Sequence, residues 1–436
     1  MSSSPAENAL VPLERVVVIN DEAIASGGAA VLALLSARLL REAGIPVTFL
    51  SGDAGSNPAL SSDGIEVSGI GSAPLLKLPL HRRIVEGAYN RLAHRRIREY
   101  IAQHDTPGTI YHVHAWAQIL SPSIFSALRP VHHRLVISAH DFTLVCPNGS
   151  YANFNQSTVC ELTPLSRQCL ASHCDKRRYA DKVWRFGRSW LRTRLLQLAD
   201  SECTIASIHP LMNPWLERGG IPQERIRTVL NPVRPFARRR IPAETNDDIF
   251  IIGRVEFEKG VDIAAEAARR VNRKLRVIGD GAFREELLQR YPEIVWEGWR
   301  SHEEIAELLQ QARFVVMPSR LPEPFGLVAH ESLQSGVPVV AFKSAFIAQE
   351  ARQLGCGIVA ERTDVDSLAA AFAKMDDDAT VERMSHLAFD VSPRLSNTPG
   401  SWRDEFIALY KSRLRSQEQA VLRPGPELSY GRAQAV

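Results

Sequence analysis

The chain has 436 residues, 45% of them hydrophobic and 23% charged, the composition of an ordinary globular protein. That length exceeds one core, so two domains of about 200 residues are expected. A formal net charge of +3 argues against nucleic acid as a partner, and any basic partner surface has to be local. No apolar run reaches the roughly eighteen residues that span a bilayer, and the opening MSSSPAENALVPLER lacks the basic segment and apolar core of a signal peptide. A cytoplasmic protein with mostly reduced cysteines is the expectation.

In chain order, Arg15 to Ile19 reads as an apolar strand, followed by a polar loop ending in Ser26-Gly27-Gly28 and a helix from about Ala30 to Ala43. Val47 to Ser51, Gly64 to Ile70, Thr109 to Val113, Leu135 to Ser138 and Cys203 to Ser207 follow as short strands, with helices near 82–103, 121–128 and 181–199. Such alternation predicts parallel strands, crossover helices and ligands at the carboxyl ends of the strands. Two of those ends carry histidines, His114 after Tyr111-His112-Val113 and His140 in Ser138-Ala139-His140-Asp141-Phe142.

The turn-rich stretch of about 141–180 interrupts the alternation and reads as a loop or lid carrying Cys146, Cys160, Cys169 and Cys174. Four clustered cysteines offer a zinc site. Only the last pair has ordinary ligand spacing and no Cys-x-x-Cys pair is present, which favours reduced or redox-labile thiols. Lys176 to Arg194 is the most basic segment, with Arg185, Arg188 and Arg192 on one helical face and Trp184, Leu191, Leu195 and Leu198 on another. Arg91, Arg95 and Arg98 repeat the arrangement opposite Ile84, Ala88 and Leu92. Each face alone reads as a solvated surface over a core stripe; together they suggest an anionic membrane surface or a lipid diphosphate as partner.

Asn231-Pro232-Val233 and the PFARRRIPAETND that follows read as a linker, dividing the chain into domains 1–233 and 234–395. Asp248 to Ile252 is a strand that runs into Gly253-Arg254-Val255-Glu256-Phe257-Glu258-Lys259-Gly260 and then a helix. A guanidinium and an ammonium at such a junction can clamp a diphosphate. Leu275 to Ile278 leads into Gly279-Asp280-Gly281, which lacks the third glycine of a dinucleotide fingerprint. Val295 to Gly298 and a helix from His302 to Arg313 precede the strand Phe314 to Met317, a Pro- and Gly-containing loop to Gly326, a helix from Leu327 and the strand Val337 to Phe342.

Glu323 thus sits in a loop at a strand's carboxyl end and Glu331 in the first turns of the next helix. The leftover N–H groups of Gly326, Leu327 and Val328 suit a phosphate, and a carboxylate one turn on suits a ribose diol. Asp364, Asp366 and Asp376 to Asp378 read as caps and solvated charges, with no metal site. Trp402 to Leu414 reads as the core of a final helix, 396–415, that crosses back to the first domain, and 416–436 as a disordered tail.

Glu323 and Glu331, with seven residues between them and Phe325-Gly326-Leu327 inside, resemble the E-x7-E signature of the retaining, nucleotide-sugar-dependent family 4 glycosyltransferases. Gly253 to Gly260 is similar to that family's G-R-x-x-x-E-K-G motif at every defined position. The loop with Gly27 and Gly28, the Gly279–Gly281 turn, and the strand ends at His114 and His140-Asp141 resemble further family positions. A similar cysteine insert recurs in some of its branches, which argues for a structural role. The family's Gly-Gly-x-x-Glu turn falls on Phe346 to Glu350, which has no glycine.

The resemblance implies an α/β, GT-B fold of two facing Rossmann-like, doubly wound domains with an interdomain cleft. It implies transfer of a sugar from a nucleotide-diphosphate sugar to a hydroxyl acceptor, a sugar or lipid-linked sugar, with retention, in cell-surface glycan or polysaccharide synthesis. The catalytic set would be Glu323, His140, Arg254 and Lys259. Arg254 and Lys259 would hold the diphosphate, Glu331 the ribose, and Glu323 a sugar hydroxyl. Phe325, Gly326, Leu327, Gly27 and Gly28 would complete the donor site, with His114, His140 and Asp141 on the acceptor side. No cofactor or metal is implied. The competing readings are an inert membrane-associated scaffold of this fold, which the missing glycine turn and basic helices favour, and a nucleotide-sugar epimerase, which the two motifs disfavour.

Overall fold

The computed structural model describes residues 11–197 and 201–421, with side chains through Leu414. These form two compact units, one built from residues 11–137, 201–203 and 403–421, the other from 138–197 and 204–402.

In the first unit, β1 (Arg15–Asn20), β2 (Val47–Ser51), β3 (Glu66–Gly69), β4 (Thr109–Val113) and β5 (Leu135–Ala139) lie parallel in the order β3-β2-β1-β4-β5. Val16, Val17, Val18 and Ile19 are all fully buried, which is what a parallel strand covered on both faces requires. Helix α1 (Gly28–Glu42) packs on β1 and β2 through Ala30, Ala33, Ala37 and Leu40. The single helix expected over 82–103 is two, α2 (Leu80–Ala88) and α3 (Arg91–His104). Asn90 makes the break: its side chain accepts from Ala93 N at 3.0 Å, an N-cap, and donates to Ile119 O at 3.0 Å.

The final helix runs from Pro399 to Val421, past the expected end at 415; residues 422–436, expected to be a disordered tail, lie outside the described residues. Tyr410 on this helix places its hydroxyl 2.7 Å from His112 Nδ1 on β4, and Arg413 donates to the carbonyls of His133 and Glu202.

In the second unit, β10 (Asp248–Ile252), β11 (Leu275–Ile278), β12 (Val295–Gly298), β13 (Ala312–Met317), β14 (Val339–Phe342) and β15 (Gly357–Ala360) form a parallel sheet ordered β12-β11-β10-β13-β14-β15. Strand periodicity divides its core in two. Ile249, Ile251, Val277, Phe314, Val316, Val340 and Phe342 face Val261 and Ala264 of α5 (Val261–Arg270) together with Leu368 and Phe372. Phe250, Ile278, Val315, Val339 and Ala341 face Ala329 and Leu333 of α7 (Leu327–Leu333), and Ile347 and Ala351 of α8 (Phe346–Gln353). This is the doubly wound arrangement that the alternation predicts. The same unit contains a short antiparallel hairpin, β6 (Ala152–Asn153) and β7 (Thr158–Val159), and the parallel pair β8 (Thr204–Ser207) and β9 (Ile226–Thr228). Strand β9 is only three residues with an arginine among them, and β15 is an apolar run of four, so neither stands out in the sequence.

Two charged residues correct the sequence reading. Arg313, expected to end a helix, is a buried residue of β13, because α6 (His302–Leu308) stops early. Its guanidinium is satisfied by the carbonyls of Glu244, Asn246, Met375 and Asp376 and by the Asp378 carboxylate at 2.6 Å. On α4 (Tyr179–Leu196) the expected basic outer face is not one: Arg192 is buried and donates to Thr143 O and Val145 O, Arg185 pairs with Asp175, and Arg188 lies over Trp184. Lys182, Ser189, Arg192 and Leu196 are the buried positions of α4, while Trp190 is exposed. Carbonyls of the turn after β5 draw Arg192 inward, something hydropathy does not register. Asp364 and Asp377 do cap the helices that follow them, accepting from Ser367 N and Thr380 N.

Candidate functional site

The two charged motifs meet because β10 and β13 are neighbours in the sheet. Each ends in a loop at its carboxyl end, and Lys259 Nζ contacts Glu323 Oε2 directly. Ser319 Oγ donates to the same carboxylate oxygen at 3.3 Å. Both partners are about one quarter exposed, so the pair can still be reached by a ligand.

Several contacts hold these loops. Arg320 forms a two-pronged bond to Asp262, at 2.9 and 2.6 Å, stacks its guanidinium over Phe257, and donates its amide to Glu258 O. Gly260 has φ +69°, and a Cβ there would lie 2.0 Å from Pro318 O, so the backbones of the two loops touch where only glycine fits. On the other side, Glu323 N donates to Ser344 O, and Phe346 N donates to Glu323 O. The insert contributes as well: Lys176 bonds the Glu258 carboxylate, holding its pKa down although burial alone would raise it. Arg254, next in this segment, is exposed, and among the described residues it makes no ion pair.

Gly326 sits at φ +78° as the N-cap of α7 and turns the chain into the helix, whose first amides have no acceptor within the helix. One turn on, Glu331 is mostly buried. Burial raises its pKa, partly offset by His302 at 3.7 Å. His302 has a raised pKa, chiefly from its bond to Glu331, against the opposing effect of burial. Its ring stacks on Phe236 at 4.6 Å and its Nε2 lies 3.1 Å from Arg234 O. His302 begins α6 and is positioned by the capping box of Ser301 and Glu304.

Phe325 is not a surface residue. It is buried and stacks on His330 at 4.2 Å, and burial, with His209 nearby, pulls the His330 pKa down to about 3. Leu327 is half-buried. Behind this loop, His209 Nδ1 accepts from Leu211 N, so Nε2 carries the proton donated to Glu350 Oε2 at 3.1 Å. Glu350, the end of the run that lacks glycines, therefore lies in α8 as a partner of a buried histidine.

The structure thus brings together Lys259, Glu323 and the loops bearing Arg254 and Gly326, with Glu331 one turn into α7. His140 and Asp141, just after β5, fall within the unit that holds these loops, which begins at Ser138. His140 is half-buried, with its pKa lowered to about 4 by burial, and exposed Asp141 accepts from Thr143 N at 2.7 Å. Gly27, Gly28 and His114 belong to the other unit. Gly27 precedes α1 and neither glycine is crowded, since a Cβ on either meets nothing within 4 Å. His114 is buried, its ring 4.1 Å from that of His112.

The cysteines are not arranged around a metal. Cys146, Cys169 and Cys174 are buried and Cys160 is partly exposed, but the Lys182 ammonium stands 3.4 Å from Cys169 Sγ and 3.2 Å from Cys174 Sγ, where a dication would be repelled. Among the described residues no group of three or more His, Cys, Asp or Glu side chains is placed to hold a metal ion, and no helix is long and apolar enough to cross a membrane.

The sequence never suggested His302, Arg320, Lys176 or the His209–Glu350 pair. The Ser301–Glu304 capping box was the one available signal, and it marks a helix start without naming what the next residue faces.

Residues 233–388 match the family model described as glycosyl transferases group 1. Glycogen synthase of Mycobacterium tuberculosis is 32% identical over 176 residues, 37% of this chain and 42% of that protein. The GDP-mannose-dependent alpha-mannosyltransferase of the same organism is 32% identical over 150 residues, 34% of this chain and 38% of that one. The chain spans less than half the length of these curated relatives. Sucrose-phosphate synthase from Thermosynechococcus elongatus shares the fold, with a TM-score of 0.66 at 17% identity over 94% of this chain and 100% of that one. Anabaena HepE in complex with UDP gives 0.65 at 14% identity, over 91% and 100%.

Proposed function

We propose, for a chain whose residues 233–388 match the group 1 glycosyl transferase family model and whose fold is that of GT-B glycosyltransferases, that it moves a sugar from a nucleotide-diphosphate sugar to a hydroxyl acceptor with retention at the anomeric carbon. The observation that carries this is the contact of Lys259 with Glu323, which unites a cationic loop and a carboxylate-bearing loop beside the start of α7. Arg254 and Lys259 neutralise the diphosphate as the sugar departs. The first amides of α7 face phosphate, Glu331 accepts the ribose hydroxyls, and Glu323 holds a hydroxyl of the donor sugar. The leaving phosphate takes the acceptor proton on the same face, so the reaction needs neither a protein base nor a metal or other cofactor.

Residues 234–395 act as the donor domain in this reading and 1–233 as the acceptor domain, with Gly27 and Gly28 approaching the donor and His114, His140 and Asp141 lining the acceptor. The acceptor is a sugar or lipid-linked sugar of cell-surface glycan synthesis, met at the cytoplasmic face of a membrane. The membrane-facing element in this reading is α2, where Leu80 is 61% and Val85 63% exposed, with Leu76 and Ile84 also exposed and Lys77, Arg82 and Arg83 alongside. Sedimentation with phosphatidylglycerol vesicles should fail for Leu80→Glu/Val85→Glu; undiminished binding would remove α2 from the reading.

The deciding experiment is thermal stability against UDP-, GDP- and ADP-sugars without added metal. A rise with one nucleotide, lost in Arg254→Ala and Lys259→Ala, supports the donor site and names the base. No rise with any of them, in folded protein, would favour an inert scaffold.

A further inference from the structure

The cysteine-bearing insert encloses a charge that the transfer reaction does not use. Lys182 on α4 is 1% exposed, and its ammonium is directed at the sulfurs of Cys174, 3.2 Å away, and Cys169, 3.4 Å away. Among the described residues no carboxylate lies within ion-pair distance of it. Cys174 is in turn held by Asn148, which donates to its sulfur at 3.4 Å and to its carbonyl at 3.3 Å, while the Asn148 oxygen accepts from Cys146 Sγ at 3.1 Å. A buried ammonium is tolerated only with a counter-charge, and sulfur is the only atom here able to supply one as a thiolate. Burial opposes the Lys182 charge, yet the two sulfurs outweigh it and leave the Lys182 pKa raised.

A cysteine sulfur held against an ammonium is open to peroxide. The usual end point, a disulfide between neighbouring thiols, would remove the counter-charge and strand the ammonium in the interior. A link between nitrogen and sulfur removes both charges together. We infer that Lys182 and Cys174 form an oxidative cross-link site, in which hydrogen peroxide joins Nζ to Sγ through a single oxygen atom.

Lys–NH3⁺ and Cys–S⁻ with two hydrogen peroxide molecules yield Lys–NH–O–S–Cys and three waters. Nitrogen and sulfur each give up two electrons, both O–O bonds break, one N–O and one O–S bond form, and the two hydrogens lost from nitrogen leave in water. The link joins α4 to Cys174, two residues before Lys176, which bonds Glu258 in the loop bearing Arg254 and Lys259.

The test treats the full-length protein with hydrogen peroxide, alkylates the remaining thiols, digests it and reads the peptides by mass spectrometry. The expected product joins the Cys174 peptide to Lys182 with a gain of one oxygen and a loss of two hydrogens. Dithiothreitol should reverse it, and Lys182→Arg and Cys174→Ser should lack it. The wild-type peptides decide the matter even if a variant fails to fold. A Cys169–Cys174 disulfide, a link to Cys169 instead, sulfinic acid at Cys174, or complete alkylation of Cys174 after peroxide would each overturn the inference.

Discussion

Replacing Glu331 with alanine tests the proposed donor site most directly. The carboxylate stands in a largely buried position with His302 as its partner at 3.7 Å, and burial has already raised its pKa. Part of its water has therefore been removed by folding, so a ribose diol forms its hydrogen bonds to a carboxylate that is partly desolvated beforehand. A hydrogen bond to a charged group contributes about 1.5–3 kcal/mol, so losing two of them, less the water that re-enters, should cost about 3 kcal/mol, or about 100-fold in nucleotide affinity.

Calorimetric titration with the preferred nucleoside diphosphate measures this. A 2′,3′-dideoxy analogue supplies the control: it should bind the wild type as weakly as the natural ligand binds Glu331→Ala, and the variant should barely distinguish the two. The pH dependence has a fixed sign. Since the ionised carboxylate accepts the diol, affinity should be full above the raised pKa and fall as pH drops through it, at a higher pH than an ordinary glutamate would give. Stability runs the other way, because burial disfavours the ionised form; Glu331→Gln should leave stability at neutral pH unchanged or higher. Nucleotide affinity within about threefold of wild type in Glu331→Ala would refute the ribose assignment.

The contrast between Gly260 and Gly28 separates crowding from mere loop position: Gly260→Ala places a Cβ against Pro318 O at positive φ and should cost about 2–4 kcal/mol in urea unfolding, whereas Gly28→Ala, with open space around it, should change stability by under about 1 kcal/mol. Equal effects would contradict the loop contact. Lys259→Met should weaken nucleotide binding by about tenfold or more, while Glu323→Gln should leave it within about threefold and lower sugar transfer instead; the reverse pattern, read by calorimetry and product formation, would exchange the two roles. Arg320→Ala leaves Asp262 mostly buried without its partner and should cost about 3 kcal/mol, part of it recovered by adding Asp262→Asn. Additive losses in the double variant would show that the two side chains do not act as a pair.

Much of the candidate site could be read from short stretches of chain. Gly253 to Gly260 and Glu323 to Glu331 each carry residue types whose chemistry depends on one loop and one helix start, and Asp364 and Asp377 cap helices because a side chain reaches three residues ahead. Two misreadings share a cause. Arg192 was assigned to an outer face and Arg313 to a helix end, yet each is buried, because carbonyls from distant segments meet its charge. Asn90 was passed over inside a basic run, although an asparagine in that position is a readable N-cap. Phe325 is buried with its ring stacked on His330, a contact that no local pattern announces.

By itself the sequence determined that strands and helices alternate, that the central strands are largely apolar, and which loops carry cations and carboxylates. These are properties of period and of neighbouring side chains, complete within a dozen residues. Only the tertiary structure decided which loops meet. An apolar run in a parallel strand carries no code for its neighbour, so nothing in the chain says that β10 lies against β13, which brings Lys259 to Glu323 across 64 residues. The same holds for Lys182, whose place among the sulfurs depends on how the insert folds onto α4 and not on any pattern along the chain.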